Sequence, residues 1–346
     1  AARFLAAEPL YRASDGAWVF KYAPPSAVLF APFTLLPPRV AAALWNLGLV
    51  ASLAALRPFL TSLLEPAPGE ERVPLSGPAL VVSLLVVGQS LFLELFYGQV
   101  DLPMLLLLLA SAALVERGRA LLPGAAWALA VAFKPPAILF GLYLLTRSRR
   151  AILAGIGFGL ALWIPVLLRY GPSGTVALVA SWSETVTRTT LPWILGANAQ
   201  GLPTLLLLGI AGAPTAVHLA LAEVAALAIA AAALWAARGS RPHLLAGACF
   251  AVAFTSALAW RANFVLALPM AALAATDRSR LRPVALVLLS LTAAVELTVM
   301  DGVLGRERLG AVLLTRPFAL AFGALFAWTI ASARLRPGQS TGARQA

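Results

Sequence analysis

The chain has 346 residues, of which 61% are hydrophobic and 12% charged, with a net charge of +12 and a mean hydropathy of +0.88. Soluble domains carry about 25% charged residues, so a water-soluble enzyme of this composition would expose large sticky patches; disorder is excluded too, because disordered chains are polar and charged. One cysteine, Cys249, excludes a disulfide scaffold and a cysteine-built metal site, and two histidines, His218 and His243, argue against a histidine metal cluster.

What remains is an all-α, polytopic transmembrane protein. A span needs about 20 apolar residues, so the length allows about ten, some of them short or broken. The basic excess sits in short clusters between apolar runs, as cytoplasmic loops do, and is not the footprint of a nucleic-acid binder. The chain begins at Ala1 with no cleavable signal pattern and reads as a piece that lacks its true N-terminus.

Taken in chain order, residues 1–25 read as a polar and aromatic external loop around Asp15, Lys21 and Pro24-Pro25. A short apolar piece, 26–36, ends at Pro37-Pro38, and a fuller run, 40–56, follows. Residues 57–74 read as a polar loop holding Glu65, Glu70 and Glu71 on a solvated face. Spans are expected at 76–96, 100–115, 120–133, 136–145, 151–168, 214–236, 244–259, 264–275, 283–300 and 310–333. Residues 169–200, rich in Trp, Thr and Ser, read as a long loop, and 201–211 as a re-entrant or interfacial piece. The chain is thus a single integral membrane domain: external loop 1–25, membrane helices 26–333, cytoplasmic tail 334–346.

The arginine clusters 117/119, 147/149/150, 238/241, 278/280/282 and 334/336 all fall at one set of span ends, which the charge rule makes cytoplasmic. Residues 1–25, 97–101, 169–200, 260–263 and 301–308 then face outward, and Lys134-Pro135-Pro136 turns in the outer half of the membrane.

Ionisable groups inside a span are costly unless they face a cavity or a partner. Glu94, Tyr97, Gly98 and Asp101 are spaced i, i+3, i+4 and i+7, one face of a helix that runs through Gly98. Gln99 stands beside them, Lys134 sits at a Pro-Pro break, and Trp260-Arg261-Ala262-Asn263 interrupts a long apolar run. Together these predict a polar pocket with carboxylates and cations on the outer face. Plainer readings stand beside it. Glu94 pairs with Lys134 or Arg261 to hold helices together, Asp101 caps the next helix, and Arg261 snorkels to headgroups. Glu223, Glu296 and His218 read as structural.

Five segments in order carry a resemblance. They are Phe20-Lys21-Tyr22-Ala23-Pro24-Pro25 with Pro32, Leu36-Pro37 and Leu44-Trp45-Asn46; Gly98-Gln99-Val100-Asp101; Ala132-Phe133-Lys134-Pro135; Gly196-Ala197-Asn198-Ala199-Gln200-Gly201; and 256–269. They resemble glycosyltransferase family 87, integral-membrane sugar transferases that use polyprenyl-phosphate donors, many of them mannosyltransferases. The resemblance implies a GT-C architecture in a bacterial plasma membrane with the site on the external, periplasmic side. It implies transfer of a hexose, mannose above others, to a glycolipid or envelope glycan acceptor by inverting direct displacement.

The partners implied are the lipid-linked donor, that acceptor and membrane lipids, with no cofactor and no metal. The family's general base, an Asp in the first external loop, would fall upstream of Ala1, leaving Asp101 as a weak stand-in. Lys134, Lys21 and Arg261 are the candidates for the leaving phosphate. Asn198 and Gln200 would donate hydrogen bonds, and Glu94, Gln99 and Asp101 would orient sugar hydroxyls; Tyr22 and Asn263 complete the binding set. The position of Asp101 is usually Asn in the family, and Arg261 and Asn263 stand where many members have His. A transporter or flippase of lipid-linked saccharides, or an inactive lipid-binding homologue, would share these broken helices and intramembrane charges.

Overall fold

The computed structural model describes residues 1–66 and 70–335, and every regular element in them is a helix. Three helices are long and apolar enough to cross a bilayer unaided: Pro38–Leu63, Ala216–Ala236 and Pro317–Arg334. Two bent pairs raise the number to five if each pair is one span: Gly77–Val86 with Gly88–Tyr97, bent by 67°, and Arg149–Ala161 with Ile164–Trp193, bent by 57°. Leu121–Phe133 and Arg241–Phe254 are shorter apolar helices.

Short helices persist here because the protein itself covers them. All of Pro242 to Phe254 is buried, with the helix packed against Leu268–Thr276, Pro317–Arg334 and the 3-10 turns Pro135–Phe140 and Arg261–Ala267. Backbone that ends at membrane depth is tolerated when other protein encloses it. Phe250, Phe254, Phe264, Phe322 and Phe326 stack around this axis with ring centroids 4.9–6.2 Å apart.

Helices Leu121–Phe133 and Arg149–Ala161 cross at backbone contact. A Cβ on Gly124 would lie 2.4 Å from the Gly155 nitrogen and 2.6 Å from the Ala151 oxygen. Glycine is required at that crossing for lack of space.

Several sequence expectations are corrected. Residues 169–200 are not a loop: a helix runs Ile164–Thr190 with a break at Gly171, φ +69° and Pro172 beside it. Its apolar residues cover a cluster in which Phe4, Leu10, Tyr11, Ala27 and Ala31 pack on Val166 and Leu178. The N-terminal segment is therefore docked, with Arg169 donating to the Phe4 carbonyl at 3.2 Å and also to that of Leu5.

The polar loop expected from residue 57 starts later, because the helix Pro38–Leu63 carries Arg57 and Pro58 within it. Glu70 is not on a solvated face but is buried against the Arg72 guanidinium. The span 310–333 is two helices, Arg306–Leu314 and Pro317–Arg334, split at Arg316, whose φ is +60°. The tail beyond Leu335, Arg336 included, lies outside the described residues.

Two of the basic clusters converge on one carboxylate. Glu116 accepts from the Tyr143 hydroxyl at 2.8 Å and pairs with Arg147 at 3.2 Å and Arg241 at 3.5 Å. This ties the ends of three helices together at the end of the bundle opposite Gly98, where Arg117, Arg119, Arg149 and Arg150 are exposed.

Candidate functional site

The site begins with a broken helix. Gly88–Tyr97 stops because Gly98 takes the left-handed conformation, φ 61° and ψ 40°, which a glycine adopts without Cβ strain. The Trp45 indole N–H donates to the Gly98 carbonyl at 2.8 Å and holds the turn. A new helix, Asp101–Glu116, starts three residues on.

Glu94 and Asp101 therefore do not share the face of one helix as their spacing predicted, and Tyr97 points outward at 58% exposure. The break brings the two carboxylates together in another way. Glu94 reaches across it, and its Oε1 accepts from the Leu102 backbone N–H at 2.9 Å. Glu94, not Asp101, caps the second helix, where free N–H groups and the helix dipole favour an anion.

That leaves the Asp101 carboxylate for long-range partners. The Lys134 ammonium donates to both its oxygens, at 2.7 and 2.8 Å. The Asn263 amide donates to Oδ2 at 2.7 Å. Asn263 is itself oriented by its own oxygen, which accepts from the Trp260 N–H at 2.9 Å.

Asp101 and Glu94 are both fully buried, while the Lys134 side chain keeps 17% exposure. The partner of Lys134 is Asp101, and the pairing of Glu94 with Lys134 or Arg261 is corrected. Lys134 ends its helix because Pro135 and Pro136 follow; its own backbone is extended, φ −139° and ψ 112°. Trp127 clamps this turn by donating to the Ala137 carbonyl at 2.9 Å. The Trp127 ring fits because Gly141 and Gly155 leave no Cβ in its way.

One polar atom of the cluster has no partner: Glu94 Oε2, buried beside Asp101. A buried acceptor left empty is unfavourable by about 1–3 kcal/mol.

Tyr22 joins the cluster from the N-terminal segment, close enough for Asp101 and Glu94 to act on its phenol; burial first, then those charges, hold its proton on. The Tyr11 hydroxyl fixes this stretch by donating to the Tyr22 carbonyl at 2.7 Å, and Trp182 donates to the Lys21 carbonyl at 2.9 Å. Burial lowers the Lys21 ammonium below the usual lysine range. Half-buried rings run on from Tyr22 through Phe30 to Trp45 and Phe133 at centroid distances of 5.6–6.0 Å. Gln99 is half-buried beside the break.

Other expected site residues are held elsewhere. Gln200 is fully buried, and its amide donates to the Ala197 and Leu313 carbonyls at 2.7 and 2.8 Å, a structural role. Asn198 is exposed on the same short loop. Arg316, which sequence reasoning missed, holds that loop by donating to the carbonyls of Leu195 and Gly196 at 2.6 and 2.7 Å and of Ala199 at 3.2 Å. Its signal in the sequence was an arginine inside an apolar run, directly before Pro317.

Arg261 is half-buried, with Tyr97, Glu296 and Asp301 as its electrostatic neighbours. Glu296 accepts from both the Ser90 N–H and hydroxyl, at 2.9 and 2.5 Å, and so joins two helices. Asp15 does not lie in a loose loop, because Arg3 holds it bidentately at 2.5 and 2.7 Å, and this guanidinium keeps the carboxyl below its ordinary range.

Compared with known families, residues 20–260 match the sequence model of glycosyltransferase family 87, well over half of the chain. No curated protein and no solved structure matches it.

Proposed function

Because the chain belongs to glycosyltransferase family 87 and is a helical membrane protein that transfers sugar from a donor to an acceptor, we propose that the donor is a polyprenyl-phosphate hexose, mannose first. The acceptor is a glycolipid or envelope glycan on the external face of a bacterial plasma membrane. The observation that carries this reading is the cluster of Glu94, Asp101, Lys134 and Asn263, a paired ammonium and an empty carboxylate oxygen at helix breaks. A lipid-phosphate sugar presents both of the groups such a cluster recognises, a phosphate and a ring of hydroxyls.

The acceptor hydroxyl loses its proton to a carboxylate base, its oxygen bonds to the anomeric carbon, and the bond from that carbon to the phosphate oxygen breaks, inverting the centre. The lipid phosphate leaves with the bonding electrons. Lys134 has three N–H donors and spends two on Asp101; the third meets the phosphate, with Lys21 and Arg261 as further cations. Glu94 Oε2 accepts a sugar hydroxyl, with Tyr22 beside the cluster and Gln99 beside the helix break. The resemblance assigns the base to an Asp of the first external loop, and Asp101 is a poor substitute because three N–H donors occupy it.

The test is transfer of radiolabelled hexose from polyprenyl-phosphate mannose to membrane lipids by the full-length protein, beside its Lys134→Met variant. Label moved across the membrane without a new glycosidic bond would replace this reading with a flippase. Unchanged donor kinetics in a folded Lys134→Met variant would remove the phosphate role.

A further inference from the structure

At the end of the bundle where the basic clusters gather, a groove of about 520 Å³ opens between helices Ala216–Ala236 and Pro317–Arg334. Its walls are Ile229 and Ala233 on one side and Phe326 and Ile330 on the other, and it ends at Arg334. Behind it the wall is closed: a Cβ on Gly247 of the central helix would lie 3.0 Å from Leu234 and 3.3 Å from Phe326. The groove exists because alanines stand where larger side chains would close it.

The groove is lined at this end by Arg334, and Arg238 follows the end of the other wall helix. Arg334 and, five residues past Ala233, Arg238 are exposed, and among the described residues neither has a carboxylate within ion-pair distance. Arg238 lies over the Trp235 ring at 4.7 Å and donates to the Trp235 carbonyl at 2.8 Å. An exposed tryptophan beside an arginine is the arrangement found at headgroup level.

We propose that this groove is a binding site for an anionic glycerophospholipid, one acyl chain lying between the two helices and the phosphate held between Arg238 and Arg334. Two observations favour that occupant over a protein helix. The apolar slot is continuous with a cationic end, which is the polarity of a single lipid molecule. The two cations have no acid partner, so a net negative headgroup answers them where a neutral or zwitterionic one would not. Basic pockets between membrane helices on the cytoplasmic side take such headgroups. The site is independent of the sugar-transfer cluster, which lies at the opposite end of the bundle.

The experiment is a lipid titration of the purified full-length protein in neutral detergent, read by native mass spectrometry, with phosphatidylglycerol and phosphatidylcholine of identical chains. Phosphatidylglycerol is expected to be retained more tightly, with the preference shrinking as salt rises. Arg238→Gln and Arg334→Gln should each weaken phosphatidylglycerol about fivefold and leave phosphatidylcholine unchanged. Ala331→Trp, at an exposed position of the groove wall, should displace both lipids while melting in detergent stays as in the parent.

Equal retention of the two lipids by the parent protein overturns the proposal. So does full phosphatidylglycerol binding by the double arginine variant. Competition by glycerol phosphate as effective as the whole lipid would show a headgroup contact without the groove and would also reject it.

Discussion

Lys134 and Asp101 depend on each other more than on any ligand. Asp101 is fully buried, and its carboxylate is held by the Lys134 ammonium. Removing one partner of a buried pair is unfavourable by about 3–5 kcal/mol, whereas replacing both is much milder. Lys134→Met should therefore lower the melting temperature sharply, and Asp101→Asn/Lys134→Met should recover most of that loss. Sugar transfer should stay down at least tenfold in both, because the phosphate loses a charge-assisted hydrogen bond of about 1.5–3 kcal/mol. Recovery of activity along with stability would mean that the pair is only a brace.

Glu94→Gln separates a second pair of roles. The amide oxygen can still accept from the Leu102 N–H, so folding should hold. The free acceptor is lost, and the KM of one substrate should rise about tenfold with kcat less affected. An unaltered KM for both substrates would empty this oxygen of function.

At the scale of elements, the breaks place the chemistry. Gly98 sits at φ 61° with Trp45 3.4 Å from where a Cβ would be. Gly98→Ala should cost about 1–2 kcal/mol, visible as a lower melting temperature, and should loosen Glu94 and Asp101 together. A variant that melts like the parent would show that the turn has slack.

Hydropathy made most of the helices legible, since apolar runs need no partner to be seen. It could not show Ile164–Thr190, a helix interrupted by Gly171-Pro172 and studded with Trp, Thr and Arg, because its stability comes from the N-terminal segment laid along it. The site residues Glu94, Asp101, Lys134 and Asn263 were legible as ionisable or amide groups in apolar surroundings. Their pairing was not, since the Asn263 amide meets Asp101 across 162 positions and no local spacing encodes that contact. The hold on Gln200 was not legible for the same reason: one of its partner carbonyls, Leu313, lies 113 positions away.

For the whole molecule, the gathering of Arg147 and Arg241 on Glu116 gives the bundle one strongly basic end. The charge rule predicts that this end faces the cytoplasm. In a Cys249→Ser background, a single cysteine at position 149 should resist a membrane-impermeant maleimide in intact cells and react after the membrane is opened. A cysteine at Asn198, exposed on the other side, should label without opening. Strong labelling of position 149 in intact cells would invert the protein and move the sugar-transfer cluster inside.

The triple hold on Asp101 also fixes an order of events in the life of the chain. The carboxylate enters the membrane first, Lys134 follows 33 positions later and Asn263 much later still. Until then a nascent chain carries an unsatisfied acid in the bilayer, a state unfavourable by several kcal/mol. The helices around the break are thus expected to wait at the insertion machinery, still beside water, until the Lys134 turn emerges. The amide then closes the arrangement when the last third of the protein is made. A stalled chain whose residue 150 has cleared the ribosome should cross-link through cysteines placed at positions 101 and 134, while in a chain stalled before Lys134 emerges a cysteine at position 101 should stay open to maleimide.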